Sequence, residues 1–195
     1  MKEVSAVWRV FCAVELPEEV RERLRDHVAR LRKEVPEATA SWNRVENIHL
    51  TLKFFGNVAV DRIPVISDAA SRAVREFSAF RIVIGNTGVF PKPSRAQVLW
   101  IGVNDPSGNL SALQKRFDDE CLADGFSKED RAYRPHLTIA RLRNPEGARH
   151  FADAHLNMTF TNIEVPITEL VIFRSELSPK GSKYTALSHH QLPNP

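Results

Sequence analysis

The chain has 195 residues, of which 43% are hydrophobic and 26% charged, a composition typical of folded proteins that excludes a disordered chain. Its net charge is +3 and its pI about 9.0, and the dispersed basic residues exclude a cationic nucleic-acid-binding tail. No apolar run reaches the roughly 18 residues of a membrane helix, and residues 1–9 lack the apolar core of a signal peptide. We therefore expect a cytoplasmic protein with no membrane partner.

Periodic apolar residues predict strands alternating with helices. The chain begins with a buried strand over 6–16, followed by an amphipathic helix that Pro17 opens and Pro36 ends. The other predicted strands are 48–55, 80–90, 97–103, 136–142, 158–166, 169–174 and 183–189. A second helix is predicted over 61–77, and a third has an apolar stripe formed by Leu110, Leu113, Phe117 and Cys121. A short fourth helix is predicted to begin at Asn144 and Pro145. Paired strands mixed with helices favour an α+β fold.

Two of these strands carry the same pattern, a histidine and a threonine separated by one apolar residue. Because side chains alternate along a strand, His49 and Thr51 share one face, and so do His136 and Thr138. A helix with four apolar anchors and a polar loop precede each pattern, which indicates an internal duplication. We expect residues 1–195 to form a single domain of two intertwined lobes, with two antiparallel-rich sheets, flanking helices and a central groove.

Two histidines that face one groove fit the cleavage of a cyclic phosphodiester. Histidine has a pKa near 6.5, so one ring can deprotonate a water while the other protonates the leaving oxygen. The threonine hydroxyls can donate to the phosphate oxygens, and no metal or cofactor is then required. Cys12 and Cys121 stand alone and are expected to be reduced packing residues. The other histidines are expected at the solvated surface: His27, His150, His155, His189 and His190.

The segments around both motifs resemble the two-histidine (2H) phosphoesterase superfamily, specifically its RNA 2′,3′-cyclic phosphodiesterase family, once named 2′-5′ RNA ligase. The resemblance covers residues 9–14, 42–56, 134–141 and 173–181, followed by Tyr184. It implies metal-independent hydrolysis of the 2′,3′-cyclic phosphate of RNA ends or nucleotides to a 2′-phosphomonoester. No obligate protein partner is indicated, and a monomer is expected.

The resemblance also implies residue roles. His49 is the proton donor to the departing 3′ oxygen, and His136 is the base that activates water. Arg141 helps to hold the phosphate, although five residues from His136 a regular strand would place it on the opposite face. Trp42 and Tyr133, both expected in loops, are candidates for stacking on the base.

Several alternatives remain open at this stage. Lys180 and Tyr184 could reach across the groove, whereas Phe11 and Phe55 are expected in the core. The histidine pair could also run in reverse as a 2′-5′ RNA ligase, open ADP-ribose 1″,2″-cyclic phosphate or cleave 2′-5′ oligoadenylate. A nucleotide-binding module without turnover is the alternative outside catalysis. Because the two motifs are nearly identical, the residues alone do not assign acid and base.

Overall fold

The computed structural model of the protein describes residues 6–36, 40–142, 148–179 and 181–194. Within these ranges the chain forms nine strands and four helices. The helices are α1 (Glu18–Glu34), α2 (Ile63–Val74), α3 (Asn109–Ala123) and α4 (Ala148–Asn157). The strands are β1 (Val7–Val14), β2 (Ala40–Trp42), β3 (Leu50–Ala59), β4 (Phe80–Phe90), β5 (Val98–Asn104), β6 (His136–Leu142), β7 (Ile163–Ile167), β8 (Glu169–Ser178) and β9 (Gly181–Gln191).

The strands form two antiparallel sheets. Sheet A has the order β3-β1-β8-β9, and sheet B has the order β2-β6-β5-β4-β7. Helices α2 and α3 pack together against sheet A, whereas α4 packs against sheet B and contacts α1. The predicted α+β architecture of two sheets flanked by helices is therefore confirmed. None of the helices in the described ranges is both long and apolar enough to cross a membrane.

The internal duplication is visible in the strand pairing. The succession β1, α1, β3 in sheet A corresponds to β5, α3, β6 in sheet B, and in each sheet the histidine strand pairs antiparallel with the strand that precedes the helix. Burial repeats as well, because the apolar residues of both motifs are fully or almost fully buried: Leu50, Leu52, Leu137 and Ile139. These side chains fix which face of each strand points away from the core.

The differences from the predicted elements lie mostly at their ends. β3 continues through Gly56, whose left-handed φ of 72° lets the strand bulge instead of ending. The strand predicted over 158–166 begins only at Ile163, and the short strand β2 was missed. The predicted helix start at Asn144 and Pro145 lies outside the described residues.

Three histidines expected at the surface are buried instead. His27 falls on the apolar stripe of α1, between Leu24 and Leu31, and packs against His155 of α4. The His155 Nε2 lies 3.1 Å from the Trp100 carbonyl, so it carries a hydrogen, and the bare His155 Nδ1 accepts from His27 Nε2 at 3.2 Å. The third is His190, whose Nδ1 lies 2.9 Å from the Ser71 hydroxyl, whereas His150 and His189 are exposed. Cys12 and Cys121 are buried and free, as expected.

The buried His27 predicts a loss of stability in mild acid. Burial, with smaller contributions from the neighbouring His155 and Arg30, lowers the pKa of His27 from 6.5 to about 4. The folded protein therefore binds this proton less readily than the unfolded chain does. The resulting stabilisation is complete above pH 6.5 and is lost as the pH falls toward 4. It corresponds to roughly 3 kcal/mol at most.

The measurement is urea unfolding between about pH 7 and about pH 4.5. His27→Gln keeps an amide that can donate to His155 and removes the titrating ring. We expect its free energy of unfolding to fall less steeply with acidification than that of the unsubstituted protein. His150→Gln, at an exposed position of α4, is the matched control and should follow the unsubstituted protein. Parallel curves for H27Q and the unsubstituted protein would contradict the assignment.

Candidate active site

A groove of about 420 Å³ runs between the two sheets. His49 and Thr51 line it from sheet A, and His136, Thr138 and Arg141 line it from sheet B. The structure thus brings together the five side chains that the sequence analysis assigned to proton transfer and phosphate binding. Both motif strands place them there by burying the apolar residue between each histidine and threonine.

The two imidazoles are oriented by the same local hydrogen bond. His49 Nδ1 lies 2.8 Å from the Asn47 carbonyl oxygen, and His136 Nδ1 lies 2.7 Å from the Arg134 carbonyl oxygen. A carbonyl can only accept, so each Nδ1 must carry a hydrogen. In the neutral rings Nε2 then keeps its lone pair, and it is the nitrogen left to exchange a proton with a ligand in the groove.

Burial lowers the pKa of both histidines. For His49 the bond to the Asn47 carbonyl opposes this effect, and for His136 the bond to the Arg134 carbonyl does so. The positive charge of Arg141 lowers the pKa of His136 further, and among the described residues no cation acts on His49 in this way. The two rings are therefore chemically different although their sequence motifs match.

Aromatic rings pack against both imidazoles. Phe11 stacks on His49 with ring centroids 4.6 Å apart, and Tyr184 meets the same ring edge-on at 5.3 Å. Phe90 meets His136 edge-on at 5.0 Å. Phe11 is only 3% exposed, as expected of a core residue, yet it also lines the groove. Phe90 was missed by the sequence analysis, since it lies far from both motifs in the chain.

A β-bulge in β6 brings Arg141 to the groove. The pairing of β5 with β6 shifts by one residue between Thr138 and Ala140, so that Ile139 is an extra residue on β6. Ile139 and Ala140 are both fully buried, and Arg141 returns to the face of His136 and Thr138. The strand is not regular here, so the alternation that would turn Arg141 away from the groove does not apply.

The same irregularity follows the threonine of β3. A register shift makes Leu52 the extra residue, and both Leu52 and Lys53 are buried. Phe54 therefore faces the groove at the position that corresponds to Arg141 on β6. Its ring is 50% exposed, and the Arg9 guanidinium lies 5.2 Å from the ring centre. The sequence analysis missed Phe54, although its place five residues after the histidine, like that of Arg141, was the available signal.

Two hydrogen bonds connect the motif strands across the groove. Asn43, in the loop that leads to His49, donates to the Thr138 carbonyl through Nδ2 at 2.8 Å. Tyr133, in the loop that leads to His136, donates to the Thr51 carbonyl through its hydroxyl at 3.2 Å. Each loop before one histidine is thus anchored on the other histidine's strand, which sets the spacing between the two.

Neither aromatic candidate for base stacking lines the groove. Tyr133 packs on the core, and burial raises the pKa of its hydroxyl. Trp42 lies in strand β2 instead of a loop, where it packs edge-on against Phe151 and beneath the Arg32 guanidinium. Tyr184 does line the groove, whereas Lys180 lies outside the described residues.

The charge of the groove suits an anion. Arg9 and Arg141 line it, and its described lining contains no aspartate or glutamate. Asn47, Ser175 and Ser182 add neutral polar groups. Within the described ranges, no cluster of three or more histidine, cysteine, aspartate or glutamate residues is arranged to hold a metal ion.

Comparisons with known proteins agree with this geometry. A family model described as the 2′-5′ RNA ligase superfamily matches residues 17–179. A Methanothermobacter thermautotrophicus protein named RNA 2′,3′-cyclic phosphodiesterase is 38% identical in an alignment of 189 residues that covers 94% of this chain and 98% of that protein. A Thermotoga maritima protein of the same name is 32% identical, with 94% and 95% covered. The crystal structure of E. coli LigT complexed with 3′-AMP matches with a TM-score of 0.73 and 25% identity, over 96% and 99% of the two chains. The chain described here belongs to the 2′-5′ RNA ligase superfamily.

Proposed function

We propose that the protein hydrolyses the 2′,3′-cyclic phosphate of RNA ends or nucleotides to a 2′-phosphomonoester, using two histidines and no metal. The observation that carries the proposal is the pair of imidazoles in one cationic groove, each with Nδ1 bonded to a carbonyl and Nε2 left for proton transfer. Relatives up to 38% identical are named RNA 2′,3′-cyclic phosphodiesterase. One copy of the chain supplies both histidines, so a monomer in the cytoplasm suffices.

In the proposed reaction His136 is the base and His49 is the acid. His136 Nε2 takes a proton from water, whose oxygen bonds to phosphorus. The bond from phosphorus to the 3′ oxygen breaks, and protonated His49 gives its Nε2 proton to that oxygen. The charge of Arg141 supports this assignment, because it favours the neutral form of His136 and has no counterpart at His49 among the described residues.

The remaining groove residues hold the phosphate. The hydroxyls of Thr51 and Thr138 and the guanidinium of Arg141 can donate to the non-bridging oxygens, on which negative charge builds up during the displacement. Phe54, the exposed ring of the groove, offers its face to the nucleotide base in place of Trp42 and Tyr133. Binding without turnover is the alternative that the assays below separate from hydrolysis. Reverse ligation and cleavage of the other cyclic or 2′-5′ substrates would use the same two histidines.

Removing either histidine should abolish most of the turnover. We expect His49→Ala and His136→Ala each to reduce kcat on a 2′,3′-cyclic nucleotide by about 10²-fold or more, the usual contribution of one positioned acid or base. The double variant should be far less than multiplicatively worse, because the two groups act in one displacement. Exposed His150→Ala is the control, and thermal melts check folding. Near-normal turnover by H49A would rule out the acid–base pair, whereas nucleotide binding without any turnover by the unsubstituted protein would favour the binding module.

The pH dependence should be bell-shaped and displaced toward acid. Catalysis needs one neutral and one protonated histidine, so kcat/KM falls on both sides of the two pKa values. Because burial lowers both pKa values in the free protein, the kcat/KM optimum should lie below the ordinary histidine value of 6.5. The profile is measured with EDTA present. An optimum on the alkaline side of 6.5, or a loss of activity in EDTA that a divalent metal restores, would contradict the mechanism.

The exposed ring of Phe54 should control affinity. Stacking of one base on an aromatic side chain is worth roughly 1–3 kcal/mol, so Phe54→Ala should raise KM by about 5- to 150-fold and change kcat much less. Phe54→Tyr keeps the ring and should restore the affinity. The measurement is steady-state hydrolysis of cyclic nucleotides with different bases. If F54A had an unchanged KM, the base would have to lie elsewhere.

A further inference from the structure

β3 continues beyond the groove, and there it presents Asn57 on the same side as Phe54. A second register shift at Phe55 and the left-handed Gly56 change the alternation again, so that Asn57 is exposed. Asn57 and Phe54 line a second cleft of about 340 Å³, and Phe54 also lines the groove. Phe54 is therefore a wall shared by the groove and this cleft, and β3 leads from one to the other.

The second cleft is lined by an exposed arginine, Arg62. The Arg62 guanidinium lies 4.7 Å from the centre of the Phe126 ring, and its Nη2 donates to the Asp124 carbonyl at 2.6 Å. The Asp124 carboxylate is paired with Arg72 instead, and no carboxylate pairs with Arg62 in the described part of the chain. An exposed guanidinium held over an aromatic ring in this way is suited to contact a phosphate.

A third cleft also adjoins the groove, and the charge of its lining differs from that of the cleft beyond Phe54. On the far side of His49 a cleft of only about 90 Å³ is lined by Glu15, Glu46 and Arg21, so that acidic side chains outnumber the one arginine and disfavour a phosphate. The cleft beyond Phe54 has no acidic side chain in its described lining. Its volume falls within the range of about 300–1,000 Å³ that small-molecule sites occupy. A polyanionic strand leaving the groove is thus directed toward Arg62.

We propose that the cleft beyond Phe54 binds the nucleotide that precedes the cyclic-phosphate end of an RNA strand, with Arg62 on the phosphate of that nucleotide. The inference rests on the proposed function, because the cyclic end must occupy the groove between His49 and His136. The strand then passes along β3, over Phe54, to Asn57. The substrate class that this site selects is an oligonucleotide rather than a mononucleotide.

The test compares a trinucleotide ending in a 2′,3′-cyclic phosphate with a 2′,3′-cyclic mononucleotide. The unsubstituted protein should have the higher kcat/KM on the trinucleotide. Arg62→Ala should lower that value by about 10-fold, the usual worth of one charged hydrogen bond, and leave the mononucleotide within about twofold. The slope of log kcat/KM against log salt for the trinucleotide should become shallower by about 0.7. Arg149→Ala, the same charge change at an exposed position of α4, is the matched control.

Two further variants sharpen the outcome. Arg62→Lys keeps the charge and should retain most of the trinucleotide preference, and Arg62→Glu should lose more than R62A does. Equal rates of the unsubstituted protein on both substrates would overturn the proposal. So would equal losses on both substrates in R62A, or an unchanged trinucleotide rate in R62A and R62E. Failure of the proposed function is a separate result, because it would appear as no hydrolysis of either substrate by the unsubstituted protein.

Discussion

A regular β-strand presents only every second side chain to a groove, and this constraint governs the site. Each motif strand must bury two apolar residues and still offer three side chains to one ligand. The bulge after each threonine resolves the conflict, since it buries two consecutive residues and returns the next one to the groove. Without the bulge in β6, the guanidinium of Arg141 would point into the core, where an unpaired charge costs several kcal/mol.

The same constraint explains what could be read from the sequence and what could not. The alternation of His49, Leu50 and Thr51, repeated in sheet B, was sufficient to predict the two sheets, the duplication and the facing motifs. Bulges depend on the register with the neighbouring strand, which no local pattern contains. The groove-facing position of Arg141 was therefore expected only from the family resemblance, and that of Phe54 could have been inferred only from its equivalent place after the histidine. Partners distant in the chain were also inaccessible, which is why the burial of His27 against His155 and the contact of the half-buried Tyr133 with Thr51 were not predicted.

The duplication supplies two equivalent positions, and the chain uses them differently. Five residues after each histidine, β6 carries Arg141 and β3 carries Phe54. One half of the groove therefore gains the guanidinium of Arg141, which lowers the pKa of His136. The other half gains the ring of Phe54, which is 50% exposed and has the Arg9 guanidinium 5.2 Å from its centre. In the proposed function the duplicated scaffold thus forms an asymmetric site, which holds the phosphate toward sheet B and the nucleotide base toward sheet A.

This asymmetry would also explain how two histidines with lowered pKa values serve as acid and base in the proposed reaction. In the free protein, burial favours the neutral form of both rings, which suits a base but not an acid. A phosphate that enters the groove brings a negative charge, and this charge raises the pKa of both histidines by favouring the imidazolium. Because Arg141 opposes the effect at His136, the proton taken up on binding goes preferentially to His49. In the proposed mechanism substrate binding and proton uptake are thermodynamically linked, so a cyclic phosphate would itself favour the protonated acid that its leaving oxygen requires.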